Sequence, residues 1–216
     1  MKSFPLSLFF AFSIAAQENW PDALRKMEFS AGTPPLNRDN AMSVMLRAFQ
    51  SNTVVKGMIF LPAVADDFFL INRGKPDLNL RPRHLLEAVA ALTNATAVRA
   101  TFRPPLLLLH LERDRLEPVF TIKNPAVAAR LQQQRQLPHA LFVDTHWERV
   151  QPALEKNLGL AFLPAAQSED AWHFNRHYLA AWGLSDWELL TALSLAGKTS
   201  FTVQKSRVVF AEGGKR

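Results

Sequence analysis

The chain of 216 residues has no cysteine. It can form no disulfide, no thiolate can ligate a metal, and no lipid can be attached through a cysteine, so stability has to come from burial alone. Glycine is sparse at 8 residues. Little material is left for a glycine-rich loop that cradles phosphates, and neither such a loop nor a nucleophile elbow is found. Acidic side chains are the scarcer sign, with 19 Asp and Glu against 25 Lys and Arg and a net charge of +6. A basic chain is drawn to anionic surfaces. Here the cations are scattered and form no dense run, which is the pattern of a solvated surface, and nucleic acid is not expected as a partner. Beyond the first residues no apolar run approaches the roughly 20 residues needed to span a bilayer, so an integral membrane protein is not expected.

The N-terminus has the layout of a secretory signal. Lys2 supplies the positive charge, residues 4–16 are apolar apart from two serines, and Ser13-Ile14-Ala15 is a small-x-small cleavage site. A signal peptide over residues 1–15 implies a periplasmic or secreted protein.

One string occurs twice. Gly57-Met-Ile-Phe-Leu-Pro-Ala63 returns as Gly159-Leu-Ala-Phe-Leu-Pro-Ala165, with five of seven positions identical at an offset of 102. The flanking patterns follow the same order. In the second half, residues 140–143 read as a strand and Thr145-His-Trp-Glu148 as a capping box. Trp147, Val150, Leu154 and Leu158 then fall at helical spacing, ended by Gly159. Residues 160–163 read as a strand stopped by Pro164. Trp172, Phe174 and Tyr178 fall on one face of an extended run that places His173, Asn175 and His177 on the other, toward solvent. Ser185-Asp-Trp-Glu188 caps a second helix ending at Gly197 in the left-handed region. A hairpin of residues 199–203 and 207–210 closes the half. In the first half the counterparts are a strand at 27–29 and a helix capped by Asp39 and carrying Ala41, Val44, Met45, Ala48 and Phe49. They continue with the Gly57 strand, a strand at 68–72, a helix through Leu85, Val89 and Leu92 ended by Asn94, and a hairpin turned by Pro104-Pro105. Leu85-Leu86 matches Leu189-Leu190 at an offset of 104. The expected fold is α+β: two tandem βαββαββ-type units, residues 26–111 and 139–212, each with two helices packed on a small sheet. Residues 112–138 join them, with Pro125 opening a short polar helix.

Residues 140–210 resemble the short N-terminal periplasmic domain shared by secretins and TonB-dependent transducers, the STN family. The likeness lies in Ala140-Leu-Phe-Val-Asp-Thr-His-Trp-Glu-Arg-Val150, Leu158-Gly-Leu-Ala-Phe162, Ser185-Asp-Trp-Glu-Leu-Leu-Thr-Ala-Leu193, Thr199-Ser-Phe-Thr-Val203 and Arg207-Val-Val-Phe210. Residues 27–111 resemble it more loosely. The resemblance implies a non-catalytic envelope module that docks onto other proteins, and it carries no catalytic residues.

Candidate chemistry is thin. His173 and His177 stand at i and i+4, but Phe174 and Arg176 occupy the places where a zinc protease needs its glutamate, and no third ligand is evident. Asp144-Thr145-His146 sets an acid, a hydroxyl and an imidazole side by side, yet triads are assembled across a fold rather than from sequence neighbours. His110 reads as a satisfied strand histidine. No catalytic, cofactor or metal residues are expected. The expected partners are envelope proteins, taken up by strand addition at an open edge formed by Arg207, Val208, Val209 and Phe210, with Trp182 and Trp187 as further contact residues. Two other readings are a periplasmic hydrolase using His110, His146 or His173 between the units, and a protein binding an anionic wall polymer.

Overall fold

A computed structural model describes residues 20–37, 39–67, 80–122, 124–133, 140–164, 176–197, 199–204 and 207–212. The signal segment, the strand expected at 68–72, Trp172 and His173 lie outside the described residues. The elements run α1 (Trp20–Arg25), α2 (Ala41–Ala48), β1 (Gly57–Phe60), α3 (Pro62–Asp67), α4 (Leu85–Ala95), β2 (Arg99–Arg103), β3 (Leu106–His110), β4 (Val119–Ile122), α5 (Pro125–Gln132), β5 (Ala140–His146), α6 (Trp147–Leu158), β6 (Ala161–Pro164), β7 (Arg176–Ala181), α7 (Asp186–Ala196), β8 (Thr199–Gln204) and β9 (Arg207–Glu212).

The fold is α+β, but its strands do not sort into one sheet per half. A first sheet has the order β2-β3-β1-β7-β5 and a second the order β4-β8-β9-β6. β7 pairs antiparallel with β1, from Gly57 opposite Ala181 to Phe60 opposite Tyr178, so two strands of the second half extend the sheet of the first. The segment expected to be a mere connector supplies β4, which pairs parallel with β8, and α5, whose N-cap Asn124 accepts from the Ala126 amide.

The first sheet is a wall shared by two cores. Met58, Phe60, Leu107 and Leu109 face a core with Val44, Met45, Phe49, Val89 and Leu92 of α2 and α4. Ile59, Leu106, Leu108 and Leu179 face a second core with Val150, Leu154, Leu190 and Leu193 of α6 and α7. That explains the unbroken apolar runs of β1 and β3, every residue of which is buried. Alternation is lost when both faces are covered, and each such side chain contributes roughly 1.5–3 kcal/mol. Helix α7 touches β1 and β7 on one side and β4 and β8 on the other. The layers are thus helices, sheet, helices, sheet. β8 alternates buried and part-exposed residues as a strand covered on one face does.

The two sheets share a pairing pattern. β1 is parallel and β2 antiparallel to β3; likewise β6 is parallel and β8 antiparallel to β9. α4 and α7 both span eleven residues, and each N-cap side chain, His84 or Ser185, accepts from the amide of the glutamate three residues on.

Several local expectations are corrected. Thr145 does not cap α6: it belongs to β5, its hydroxyl donates to the Val143 carbonyl at 3.1 Å, and His146 is the N-cap. The reason is an irregularity in β5 between Phe142 and Thr145, where Asp144 takes φ 50° and the strand runs one residue further. Asn40, not Asp39, precedes α2, and its turn is closed by Asn37, which accepts from the amides of Asp39 and Asn40. Asn94 is inside α4, which ends at Thr96; the Thr96 hydroxyl donates to the Leu92 carbonyl at 2.7 Å. Residues 27–29 form only an isolated bridge, Glu28 with His84. Gly159, which ends α6 as expected, is left-handed at φ 62°, but Gly197, expected in that region, has φ −110°. It is glycine for room: an added Cβ would lie 2.8 Å from His177 Nε2 and 2.9 Å from Thr199 Oγ1.

Candidate functional site

The strand chosen as an open edge is an interior one. β9 lies between β8 and β6, paired along both sides, so Arg207, Val208, Val209 and Phe210 present no free backbone to an incoming strand. A hairpin is closed by its own turn on one side only; here β6 took the other, a pairing between residues more than 40 positions apart that local pattern does not reveal. Trp182 and Trp187 are part-buried rather than displayed. Trp182 packs against the first core with its ring 5.7 Å from Phe49, and Trp187 against the second.

Among the described residues the edges are β2 and β5 in the first sheet and β4 and β6 in the second. β6 is closed at its centre by α6. Gln151 Nε2 donates to the Phe162 carbonyl at 3.0 Å, the Phe162 amide donates to Glu155 Oε1 at 2.9 Å, and Gln151 Nε2 also bonds Glu155 Oε1 at 3.1 Å. Trp147 Nε1 donates to Gln151 Oε1 at 3.0 Å and anchors the set. Two side chains therefore take the backbone bonds that a partner strand would make.

The outward face of the second sheet has no such cover among the described residues. Pairing sets Thr121, Thr202, Val209 and Leu163 in one row across β4, β8, β9 and β6. Leu163 is 41% exposed, one of the two exposed large apolar side chains among the described residues. Ser200, Gln204, Arg207 and Ala161 flank the row. Arg207 is the one charged residue among these described positions.

Two of the described histidines are held within the fold. Leu111 O accepts from His110 Nδ1 at 2.9 Å, so a neutral His110 takes the Thr101 hydroxyl hydrogen on Nε2 at 2.8 Å, and both ring nitrogens are engaged. His177, expected toward solvent, is fully buried because β7 has helices on both faces. Its Nδ1 lies 3.3 Å from the Thr145 carbonyl, and its ring packs on Trp147 at 5.7 Å. His146 ends β5, and two strands separate β5 from the β3 of His110. At about 4.8 Å per strand that is roughly 14 Å, too far for two imidazoles to share one reacting atom or metal. Among the described residues no group of three His, Asp or Glu is placed to hold a metal ion, and no helix is long and apolar enough to cross a membrane.

Two further polar places lie among the described residues. At the β5 irregularity, Asp144 Oδ1 accepts from Tyr178 Oη at 3.1 Å and pairs with Arg176 at 3.0 Å. Burial first, then the Asp144 charge and hydrogen bond, raise the Tyr178 pKa above its ordinary 10.0, against the opposing pull of Arg176. A phenol held protonated in this way is a hydrogen-bond donor, not a nucleophile. An open cleft of about 430 Å³ at the end of α4 is lined by Thr93, Thr96, Arg99, Glu112 and Arg113, with Arg99 and Glu112 paired across 3.1 Å. The Thr96 hydroxyl there is already given to Leu92. Neither place brings together a nucleophile, a base and an oxyanion donor.

No family model, curated protein or solved structure matches this chain.

Proposed function

We propose that the chain is a non-catalytic, exported envelope protein that works as a binding and assembly module for other envelope proteins. The observation that carries this reading is how the chain's own halves join. The first sheet takes two strands of the second half at its β1 edge and two helices of the second half over its far face. A unit of this design is built to be completed by another. The equivalent face of the second sheet has no described element on it. The STN resemblance of residues 140–210 also favours a docking role in the envelope. His110 adds no support for a hydrolase, since both of its ring nitrogens are engaged within the fold.

The test is in-cell photo-crosslinking of the full chain, with a photoreactive residue placed in turn at exposed positions, followed by cell fractionation. Discrete adducts with other proteins in the envelope fraction are expected. Location of the chain in the cytosol, or saturable turnover of ester, glycoside or peptide substrates by the purified protein, would overturn the reading.

A further inference from the structure

The two sheets carry the same outward row. In the first sheet Thr101 stands opposite Leu108, and Leu108 opposite Ile59. In the second, Thr202 stands opposite Val209, and Val209 opposite Leu163. Strand pairing thus matches Thr101 with Thr202, Leu108 with Val209 and Ile59 with Leu163. In the first sheet Ile59 and Leu108 are fully buried, under α6 and α7. In the second, Leu163 is 41% exposed, and Val209 is only part-buried. Beside the row, Leu106 of the first sheet is matched by Arg207, so the second face carries an apolar pair, Val209 and Leu163, beside two threonines, with a polar margin. That composition suits an interface that opens and closes rather than a permanent core.

We infer that the row Thr121, Thr202, Val209 and Leu163 is a docking site for an amphipathic helix of a partner protein, laid across the second sheet as α6 and α7 lie across the first. This deepens the assembly reading and rests on it. The outer strands of the four lie about 14 Å apart, room for two helices at their usual spacing of 8–10 Å. Arg207 beside the row, with no acidic residue among the described flanking positions, favours an acidic margin on the incoming helix. A strand is the poorer occupant, because Gln151 and Glu155 hold the Phe162 backbone at the β6 edge. In the first sheet the β1 edge instead takes β7 as its neighbour. A second copy of this chain is also the poorer occupant. Its leading helix layer would have to serve as α7 does, yet Leu195, buried in the second core, is matched in α4 by the exposed Asn94.

The experiment places a photoreactive residue at Thr202 of the full chain in cells and maps the crosslinked atoms by mass spectrometry, with the same residue at Ala90 on exposed α4 as control. The expected adduct joins Thr202 to apolar positions of another protein spaced three and four apart. It should fall at least tenfold on adding Leu163→Lys, with the melting temperature of the purified variant unchanged. Adducts at alternate residues of a strand, adducts with this same chain, an adduct yield indifferent to Leu163→Lys, or none from Thr202 would each overturn the proposal. Envelope adducts from Ala90 without any from Thr202 would leave the assembly reading standing while this site fails. Silence at both positions would count against both.

Discussion

Gln151 Nε2 donates to the carbonyl oxygen of Phe162 at 3.0 Å, a bond from a helix side chain to the backbone of an edge strand. With Glu155 taking the Phe162 amide, the β6 edge is satisfied without a neighbouring strand. Open edges are templates for unwanted pairing, and proteins block them with polar or charged groups placed in the way. Replacing both residues at once, Gln151→Leu with Glu155→Leu, leaves α6 with apolar side chains where it now holds the Phe162 backbone. The buried backbone groups of Phe162 then lose their partners, at about 1–3 kcal/mol. The expected outcome is a lower denaturant midpoint together with association that grows with concentration in sedimentation velocity. A double variant that stays monomeric at every concentration would show that the edge needs no guard.

Gly159 and Gly197 both follow helices but are glycine for different reasons, and substitution separates them. At Gly159 φ is 62° and an added Cβ meets nothing within 4 Å. Gly159→Ala therefore carries only a backbone cost of about 1–2 kcal/mol, and Gly159→Asn recovers part of it, because Asn tolerates the left-handed region. At Gly197 the backbone is ordinary but the Cβ runs into His177 and Thr199 at under 3.0 Å. Both are buried and cannot swing away. Gly197→Ala is expected to cost about 1–3 kcal/mol by overpacking, and Gly197→Asn more. Urea unfolding of the four variants reads this directly; a gain from Asn at position 197 would refute the steric account.

A likeness of pattern between the two halves is legible in the sequence, but the register of matching strands and helices is not, and the errors follow from the periods of the elements themselves. The repeated string aligns Phe60 with Phe162. Strand pairing instead matches Met58 with Phe162, since Met58 faces Leu107 and Phe162 faces Val208 at the same step of each sheet. The slip is two residues, and a strand's side chains recur on one face every two. Leu85-Leu86 was aligned with Leu189-Leu190, whereas the caps match His84 with Ser185 and Glu87 with Glu188, a slip of three. A helix shifted by three keeps nearly the same buried face. The capping box at Ser185, a hydrogen-bonded feature with no such degeneracy, was read correctly. What could not be read was the exchange of strands between halves, because β1 with β7 and β6 with β9 are long-range pairings set by tertiary packing. For the same reason the outward face of the second sheet was missed, although the alternation in β8 was present in its sequence.

Tyr178 is the only tyrosine in the chain, so its ionisation can be followed by absorbance near 295 nm. Its pKa is raised above 10.0 by burial first and by Asp144 second. A group with a raised folded-state pKa contributes stability that is fully present below the unfolded value and is lost as pH rises through the folded one. Stability should therefore decline from about pH 10 upward, and the native titration midpoint should lie above 10.0. Asp144→Asn removes the negative charge while leaving an acceptor and a residue suited to φ 50°. The midpoint is expected to move toward 10.0 without reaching it, because burial remains. A midpoint unmoved by Asp144→Asn would show that Asp144 has no electrostatic hold on the phenol.

Val209→Pro distinguishes an edge strand from an interior one. On an edge, proline can face its missing amide to solvent, and the domain survives with only partner pairing lost. Val209 is instead in β9, opposite Thr202 on one side and Leu163 on the other. Its amide belongs to one ladder or the other, and the fixed proline ring disturbs both. The second sheet supplies Phe162, Phe201, Val203, Val208 and Phe210 to the second core, so its loss takes the cover from α6 and α7 as well. The expected cost is about 3 kcal/mol or more, read as loss of the cooperative urea transition or a strongly lowered midpoint, whereas Val209→Thr, which keeps the amide and the β-branch, should change it by less than about 1 kcal/mol. A folded Val209→Pro protein with a near-normal midpoint would place β9 at an edge after all and reopen strand addition there.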